Sequence, residues 1–320
     1  MHYTRSWVLP RSYPTYLTQH RVAQSAAVNA SATLSDVYGA LYSARKQVRT
    51  ELTQHKAPGP PAVTTFEILG QRLEYRWLGP PPHEAPTIVF LHEGLGSAGL
   101  WRDFPDRVAA ATGYGALVYS RLGYGASDPV TGPRSVRFMH DEALYVLPAV
   151  LQGFKLEDII LFGHSDGASI ALIYAGARLG RVRALILEAP HVFVEPVCVE
   201  SIVRIAEAYG TTDLKERFAR HHGENTDSMF RTWADVWLRP EFLRWNIEEY
   251  LPAIESPVLV VQGEDDEYGT VRQVEAILSQ VRGPAESLVL PDCGHSPHKD
   301  QPDRVLDTAV RFIRHIPFNR

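Results

Sequence analysis

Asp158-Ile-Ile-Leu-Phe-Gly163-His164-Ser165-Asp166-Gly167-Ala168 decides the fold of this chain. Ile159 to Phe162 form an apolar run of the length expected for a strand buried on both faces. The stretch DGASIALIYAGARL, beginning at Asp166, reads as a helix. Between strand and helix stands G-x-S-x-G, and that context gives the motif its meaning. Glycines at 163 and 167 keep side chains out of a strained turn that lifts the Ser165 hydroxyl above the sheet. The backbone N–H of Asp166 then points toward a developing oxyanion, and the helix N-terminus adds positive potential.

Outward from this turn, short apolar runs recur at Ile88 to Leu91, Leu117 to Tyr119, Leu185 to Leu187, Val258 to Val261 and Leu288 to Leu290. Each is expected to be a strand buried on both faces. Helical stretches alternate with them: WRDFPDRVAAA, DEALYVLPAVLQGF, VRQVEAILSQV and QPDRVLDTAVRFIRHI. FEILGQRLEYRWLG, with its alternating pattern around Gly70-Gln71, predicts a hairpin at the sheet's start. The fold class is therefore α/β, a doubly wound and mainly parallel sheet. The alternation breaks once, over 194–254, where SIVRIAEAY, DLKERFARHH, SMFRTWADVWL and EFLRWNIEEYL read as amphipathic helices without a strand. An insertion of this kind is expected to be a cap over one end of the sheet, leaving 63–193 and 255–320 as the core.

Residues 1–62 are different. They are rich in Ser, Thr, Ala and Arg and end in the Pro/Gly punctuation HKAPGPPA. They read as an extension unable to bury enough surface to order itself, with an organellar transit segment as the alternative. Of 320 residues, 45% are hydrophobic and 22% charged, so the chain is globular and long enough for a large core. A net charge of −5 gives no field to hold nucleic acid or an anionic membrane. No apolar window reaches the length of a membrane span. Cys198 and Cys293 cannot make a disulfide framework and lack metal-ligand spacing, which fits a reducing cytoplasm. Nothing in the sequence sets an oligomeric state.

A serine hydroxyl needs a base oriented by a carboxylate, in the chain order Ser, Asp or Glu, His. PVLVVQGEDDEYGT places Asp265 and Asp266 just beyond one strand, and LVLPDCGHSPHKDQP places His295 just beyond the next. From about 63 to 316 the chain thus resembles the α/β-hydrolases, in their serine, esterase-like branch with a helical cap. The resemblance implies Asp266 as the acid, three residues after Gly263, with Asp265 as runner-up. It implies His295 as the base, in its Gly-His pair, rather than His298. It also implies an oxyanion hole from the N–H groups of Asp166 and Gly94, the latter in the loop His92-Glu93-Gly94-Leu95-Gly96. Glu93 departs from the family's usual glycine. Gly123 and Gly125 are expected to be turn residues, and His92 a brace for its loop.

The expected chemistry is acyl transfer from a carboxylic ester or lactone to water, without metal or cofactor. A macrolide-type lactone is one substrate that the resemblance suggests. The alternatives are a carbon–carbon hydrolase of dienoate ring-fission products, which would need a cation such as Arg102 or Arg121, and a non-catalytic ligand-binding protein on the same fold. Candidate substrate contacts are Glu93, Trp101, Trp233 and Trp237, although Trp101, Phe230 and Trp245 also suit packing. His221 and His222 read as solvated, and Cys293 as a small buried side chain. Carboxylates at Glu93 and Asp166 either turn away to local partners or favour a substrate bearing an amine.

Overall fold

The computed structural model describes residues 63–316, so the expectation for the N-terminal extension lies outside the described residues. A sheet of eight strands runs in the order β1-β2-β4-β3-β5-β6-β7-β8. These are β1 (Thr65–Ile68), β2 (Gln71–Leu78), β3 (Thr87–Leu91), β4 (Gly115–Tyr119), β5 (Asp158–His164), β6 (Arg181–Glu188), β7 (Val258–Gly263) and β8 (Ala285–Leu290). The β1–β2 hairpin closes over Leu69 and Gly70, both at positive φ (51° and 74°), the backbone twist that a two-residue hairpin turn requires. β2 pairs antiparallel with β4, and every pairing from β3 to β8 is parallel.

β3, β4 and β7 are buried along their whole length, as their unbroken apolar runs require. β8 is the exception to the sequence reading. It is an edge strand with a neighbour on one side only, and of its residues Leu290 alone is fully buried while Val289 is exposed. Three apolar residues in a row cannot distinguish an edge from a centre.

Helices cover both faces. On one, α1 (Phe104–Thr112) and α8 (Pro302–Arg314) pack Phe104, Val108, Val305 and Phe312 onto Phe90, Val118 and Phe162. On the other lie α2 (Leu147–Gly153), α3 (Asp166–Gly176) and α7 (Val271–Gln280), over Leu91, Leu117 and Leu161. α3 is buried from Asp166 to Ala175 and, apart from Asp166 and Ser169, carries apolar or small residues up to Ile173, the signature of a central helix. The stretch read as one helix from Asp141 is helical but widens into a π-turn at Glu142–Val146, just before Pro148. A proline has no N–H to give and crowds the preceding turn, and the wider turn accommodates it.

Between β6 and β7 come α4 (Pro196–Thr211), α5 (Leu214–His222) and α6 (Thr226–Trp237), followed by short 3₁₀ turns. The two ends of this insertion are strapped together at its base, where Ile247 N–H donates to the Val192 carbonyl at 2.8 Å and Phe193 bridges Asn246. Buried Glu195 fastens the start of α4 to that of α7, accepting from Thr270 N–H, Thr270 Oγ1 and Gln273 Nε2. Among the described residues no helix is long and apolar enough to cross a membrane.

Candidate active site

The chain leaves β3 for β4 on one side and then returns to place β5 on the other side of β3. Loops leaving the carboxyl ends of β3 and β5 must therefore part, and the crevice between them is where open α/β sheets place their ligands. Ser165 stands there, between β5 and α3, with φ 53° and ψ −117°, a conformation that costs a non-glycine residue on the order of 1–3 kcal/mol. The turn is held by Ser165 N–H to the Glu188 carbonyl (2.9 Å) and Ala168 N–H to the Ser165 carbonyl (2.9 Å). Its two glycines are steric necessities. A Cβ at Gly163 would stand 2.5 Å from the Gly167 carbonyl oxygen, and one at Gly167 would stand 2.0 Å from that of Leu91.

His295, in the loop after β8, places Nε2 2.9 Å from Ser165 Oγ. Its Nδ1 lies 2.8 and 2.9 Å from the two oxygens of Asp266, in the loop after β7. Asp266 is buried and accepts further hydrogen bonds from Gln262 Nε2 (2.6 Å), Tyr268 N–H (2.8 Å) and Gly269 N–H (3.2 Å). Burial alone would raise its pKa, but the charge and hydrogen bond of His295, with the Tyr268 N–H, bring it down to about 2. Burial likewise works against a charged His295, yet Asp266 beside it holds the imidazole above its usual range. Asp265, the runner-up, is exposed.

The loop after β3 brings Gly94 to the same crevice, and α6 sits on it. The indole Nε1 of Trp233 occupies the space of a Gly94 side chain, 2.1 Å from an ideal Cβ, and this buried N–H has no partner among the described residues. Trp237 is set further back, edge-on to His191, whose ring lies 5.7 Å from that of His295. His191, which sequence reasoning missed, is pushed down to about 3 by burial and by His295, and so is neutral. It follows Ala189-Pro190 in a loop with no motif to announce it.

Trp101 does not join them. It is 1% exposed in the core of the α1–α8 face, packed on Phe90, Phe162 and His298, and is removed from the candidate substrate contacts. Glu93 is also reassigned. Its carboxylate turns to Lys299 Nζ (3.1 Å) and His164 Nδ1 (3.4 Å) rather than to a substrate. His92 braces the loop as expected, with Nδ1–H donating to the Glu93 carbonyl (2.7 Å) and Nε2 accepting from Arg121 N–H (3.1 Å). Arg121 is buried, and its two Nη groups donate to the His92 and Glu93 carbonyls. Arg121 is therefore committed to the loop and is not a free cation for an anionic substrate. Arg102 is exposed beside the turn that begins α1.

The Asp166 carboxyl is buried, with one oxygen unpartnered among the described residues. Burial pushes its pKa up to about 6, against the pull of Arg121 and Arg134. Of the two directions open to these carboxylates, Glu93 takes the local one, toward Lys299, and the charge of Asp166 is opposed by Arg121 and Arg134. His222 corrects another expectation. It is buried, accepting from Gly125 N–H at Nδ1 (3.0 Å) and donating from Nε2 to the Leu95 carbonyl (3.1 Å), so it pins α5 to two glycine-bearing loops. Its charged neighbours in sequence concealed this. His298 pairs with Glu188 at 2.5 Å, away from Ser165, and Cys293 is buried with its thiol pushed up to about 12 by burial.

A family model described as the alpha/beta hydrolase family matches residues 88–308. A Pseudomonas putida 2-hydroxy-6-oxononadienedioate/2-hydroxy-6-oxononatrienedioate hydrolase is 27% identical over 278 residues, covering 77% of this chain and 93% of that protein. A Lactobacillus helveticus proline iminopeptidase is 23% identical, covering 68% of this chain and 83% of its own. Among solved structures, the enol-lactonase of Burkholderia xenovorans LB400 superposes with a TM-score of 0.60 at 21% identity, over 79% of this chain and all of the other. The matched family model runs from the second residue of β3 past β8 and takes in Ser165, Asp266 and His295, and the chain belongs to the alpha/beta hydrolase family.

Proposed function

We propose that this hydrolase cleaves a carboxylic ester or lactone through a Ser165 acyl-enzyme. The observation that carries the reading is the unbroken chain of contacts from Ser165 Oγ to His295 Nε2 (2.9 Å) and from His295 Nδ1 to Asp266 (2.8 Å). His295 takes the serine proton as Oγ attacks the carbonyl carbon, and Asp266 stabilises the imidazolium that forms. The N–H groups of Gly94 and Asp166 receive the oxyanion. His295 then protonates the leaving alkoxide and afterwards activates the water that frees the acid. In a lactone the leaving alkoxide stays tethered, and the same steps open the ring.

Residues 194–254 act as the cap in this reading, with Trp233 over Gly94 offering its unpartnered N–H to an oxygen of the substrate. Two buried free thiols, Cys198 and Cys293, support a reducing cytoplasm. The Pseudomonas putida relative, named for a dienedioate substrate, favours the carbon–carbon alternative. The commitment of Arg121 to loop carbonyls weighs against it. The geometry of the triad weighs against a mere ligand-binding role.

A panel of p-nitrophenyl esters, small lactones, a macrolide lactone and a dienoate, run beside a fluorophosphonate, tests the proposal. Ester or lactone turnover is expected, with the phosphonate on Ser165 and a loss on the order of 10⁴–10⁶ in kcat for Ser165→Ala. Label on another residue, or full activity in Ser165→Ala, overturns the mechanism, and turnover of the dienoate alone overturns the substrate class.

A further inference from the structure

We infer that Glu93 and Lys299 form a clasp that sets the oxyanion loop against the turn carrying the catalytic base, and that both are positioning residues for the reaction proposed above, on which this inference rests. Three segments must keep register in any such site: the loop bearing Gly94, the elbow bearing Ser165 and the loop bearing His295. One carboxylate touches all three. Glu93 directly precedes Gly94, and its Oε1 accepts from Lys299 Nζ (3.1 Å), four residues after His295. Its Oε2 stands 3.4 Å from Nδ1 of His164, the residue before Ser165. His164 in turn donates Nε2–H to the main-chain carbonyl of His295 (2.7 Å).

The loop is shaped to admit this carboxylate. Gly96 turns back toward it, and a Cβ at 96 would lie 2.2 Å from Glu93 Oε2. The Glu93 carbonyl is separately fixed by His92, Arg121 and the Gly96 N–H (3.1 Å), so both ends of the residue are anchored. A neutral His164 has one N–H, and the 2.7 Å contact to His295 claims it. Lys299 therefore carries the charge balance of Glu93, in a pair whose side chains are only 15% and 24% exposed. A pair so placed loses more when one partner is removed than when both are, because the survivor is left charged and poorly hydrated.

The experiment is a double-mutant cycle of Glu93→Gln, Lys299→Met and the combination, with Ser165→Ala as a control, using a neutral p-nitrophenyl ester. Each single variant is expected to lower kcat about tenfold with KM within about twofold, since a misplaced oxyanion donor acts in the transition state. The double variant is expected to be no slower than the worse single. Lys299→Met should lose the most thermal stability, and the double variant should regain part of it.

A pH profile separates positioning from passive support. His295 is faced by Asp266, Glu267 and Tyr268 from the loop after β7, by His191, by Glu93 and His164, and by Asp166. Of these, Glu93 helps to keep it charged, so the kcat/KM midpoint is expected to fall in Glu93→Gln. Wild-type kcat and midpoint in both singles, or losses that simply add in the double, overturn the clasp while Ser165→Ala remains inactive. Full activity in Ser165→Ala instead overturns the serine mechanism itself.

Discussion

Replacing Asp266 by Asn changes neither its size nor its shape, yet the structure assigns the change a large effect. Four donors converge on the carboxylate. Tyr268 N–H and Gly269 N–H meet Oδ1, Gln262 Nε2 meets Oδ2, and His295 Nδ1 meets both. A carboxamide has one acceptor oxygen, and the two main-chain donors claim it at the Oδ1 position. Its NH₂ then faces the Gln262 side chain and His295 Nδ1. The imidazole is driven to the tautomer with its proton on Nε2, directed at Ser165 Oγ, where it cannot take the serine proton. The positive charge formed on His295 during attack also loses its counterion. A loss of about 10³–10⁴ in kcat is expected, equivalent to about 4–5.5 kcal/mol of transition-state stabilisation. Asp265→Asn, a charge-neutralising change of the same size at an exposed position, is expected to stay within about twofold. Steady-state hydrolysis of a p-nitrophenyl ester, paired with the rate of fluorophosphonate labelling, measures both variants. A greater loss for Asp265→Asn, or a loss below tenfold for Asp266→Asn, refutes the assignment.

Activity should rise with pH through a midpoint above 6.5, because burial, which opposes the charge on His295, is outweighed by Asp266 together with Glu267 and Glu93, and the base must be neutral to act. Since a raised imidazole pKa stabilises the fold below 6.5 and that contribution is lost as pH passes the folded value, thermal stability is expected to decline over the window in which kcat/KM rises. A flat profile from pH 5 to 9 counts against His295 as base. Trp233→Phe keeps the ring but removes its N–H, and is expected to lower kcat/KM about 3–10-fold, the worth of one hydrogen bond, whereas unchanged kinetics would show that the indole does not reach the substrate. Matched cationic, neutral and anionic esters at low salt should agree in kcat/KM within about threefold, since Lys299 balances Glu93 and Arg121 and Arg134 flank Asp166. A tenfold preference for the cation would restore an anionic pocket.

The strands, the turn at Ser165 and the residues that the fold brings into contact with it, His295 and Asp266, were legible because each leaves a local mark. Ile159 to Phe162 ending in G-H-S-D-G is readable in one window, and Asp266 and His295 follow strands at spacings that the resemblance supplies. The residues that escaped act through contacts distant in sequence. His222 sits in a charged stretch, and only the chain's return past Gly125 and Leu95 makes it a buried pin. Glu93 stood out as a departure from the family pattern, but its partner lies 206 residues away, so the sequence offered two directions for its side chain and no means of choosing. Trp101 and Trp233 are both tryptophans beside candidate loops. That Trp101 packs into one face of the sheet while Trp233 reaches Gly94 is a property of topology rather than of either neighbourhood.

Topology also accounts for the economy of the site. The order β4-β3-β5 makes the first two parallel connections diverge, so the loop of Gly94 and the elbow of Ser165 border one crevice without any long excursion of the chain. β6, β7 and β8 then add on one side in sequence, and each ends near the preceding one. Asp266, the proposed acid, therefore follows β7, and His295, the proposed base, follows β8, with its ring in contact with both Asp266 and Ser165. Only β6 is followed by a long insertion, and it lies between the nucleophile's strand and the acid's. A segment launched there can cover the crevice while its base is strapped at Val192 and Ile247, and it reaches Gly94 through Trp233. In the proposed reading, bond cleavage belongs to strand ends fixed by the buried sheet, and the choice of substrate to inserted helices that are strapped at their root and pinned to the neighbouring loops through His222. Substitutions in α4 to α6 are accordingly expected to alter which ester is cleaved, and substitutions at the strand ends to alter whether any is.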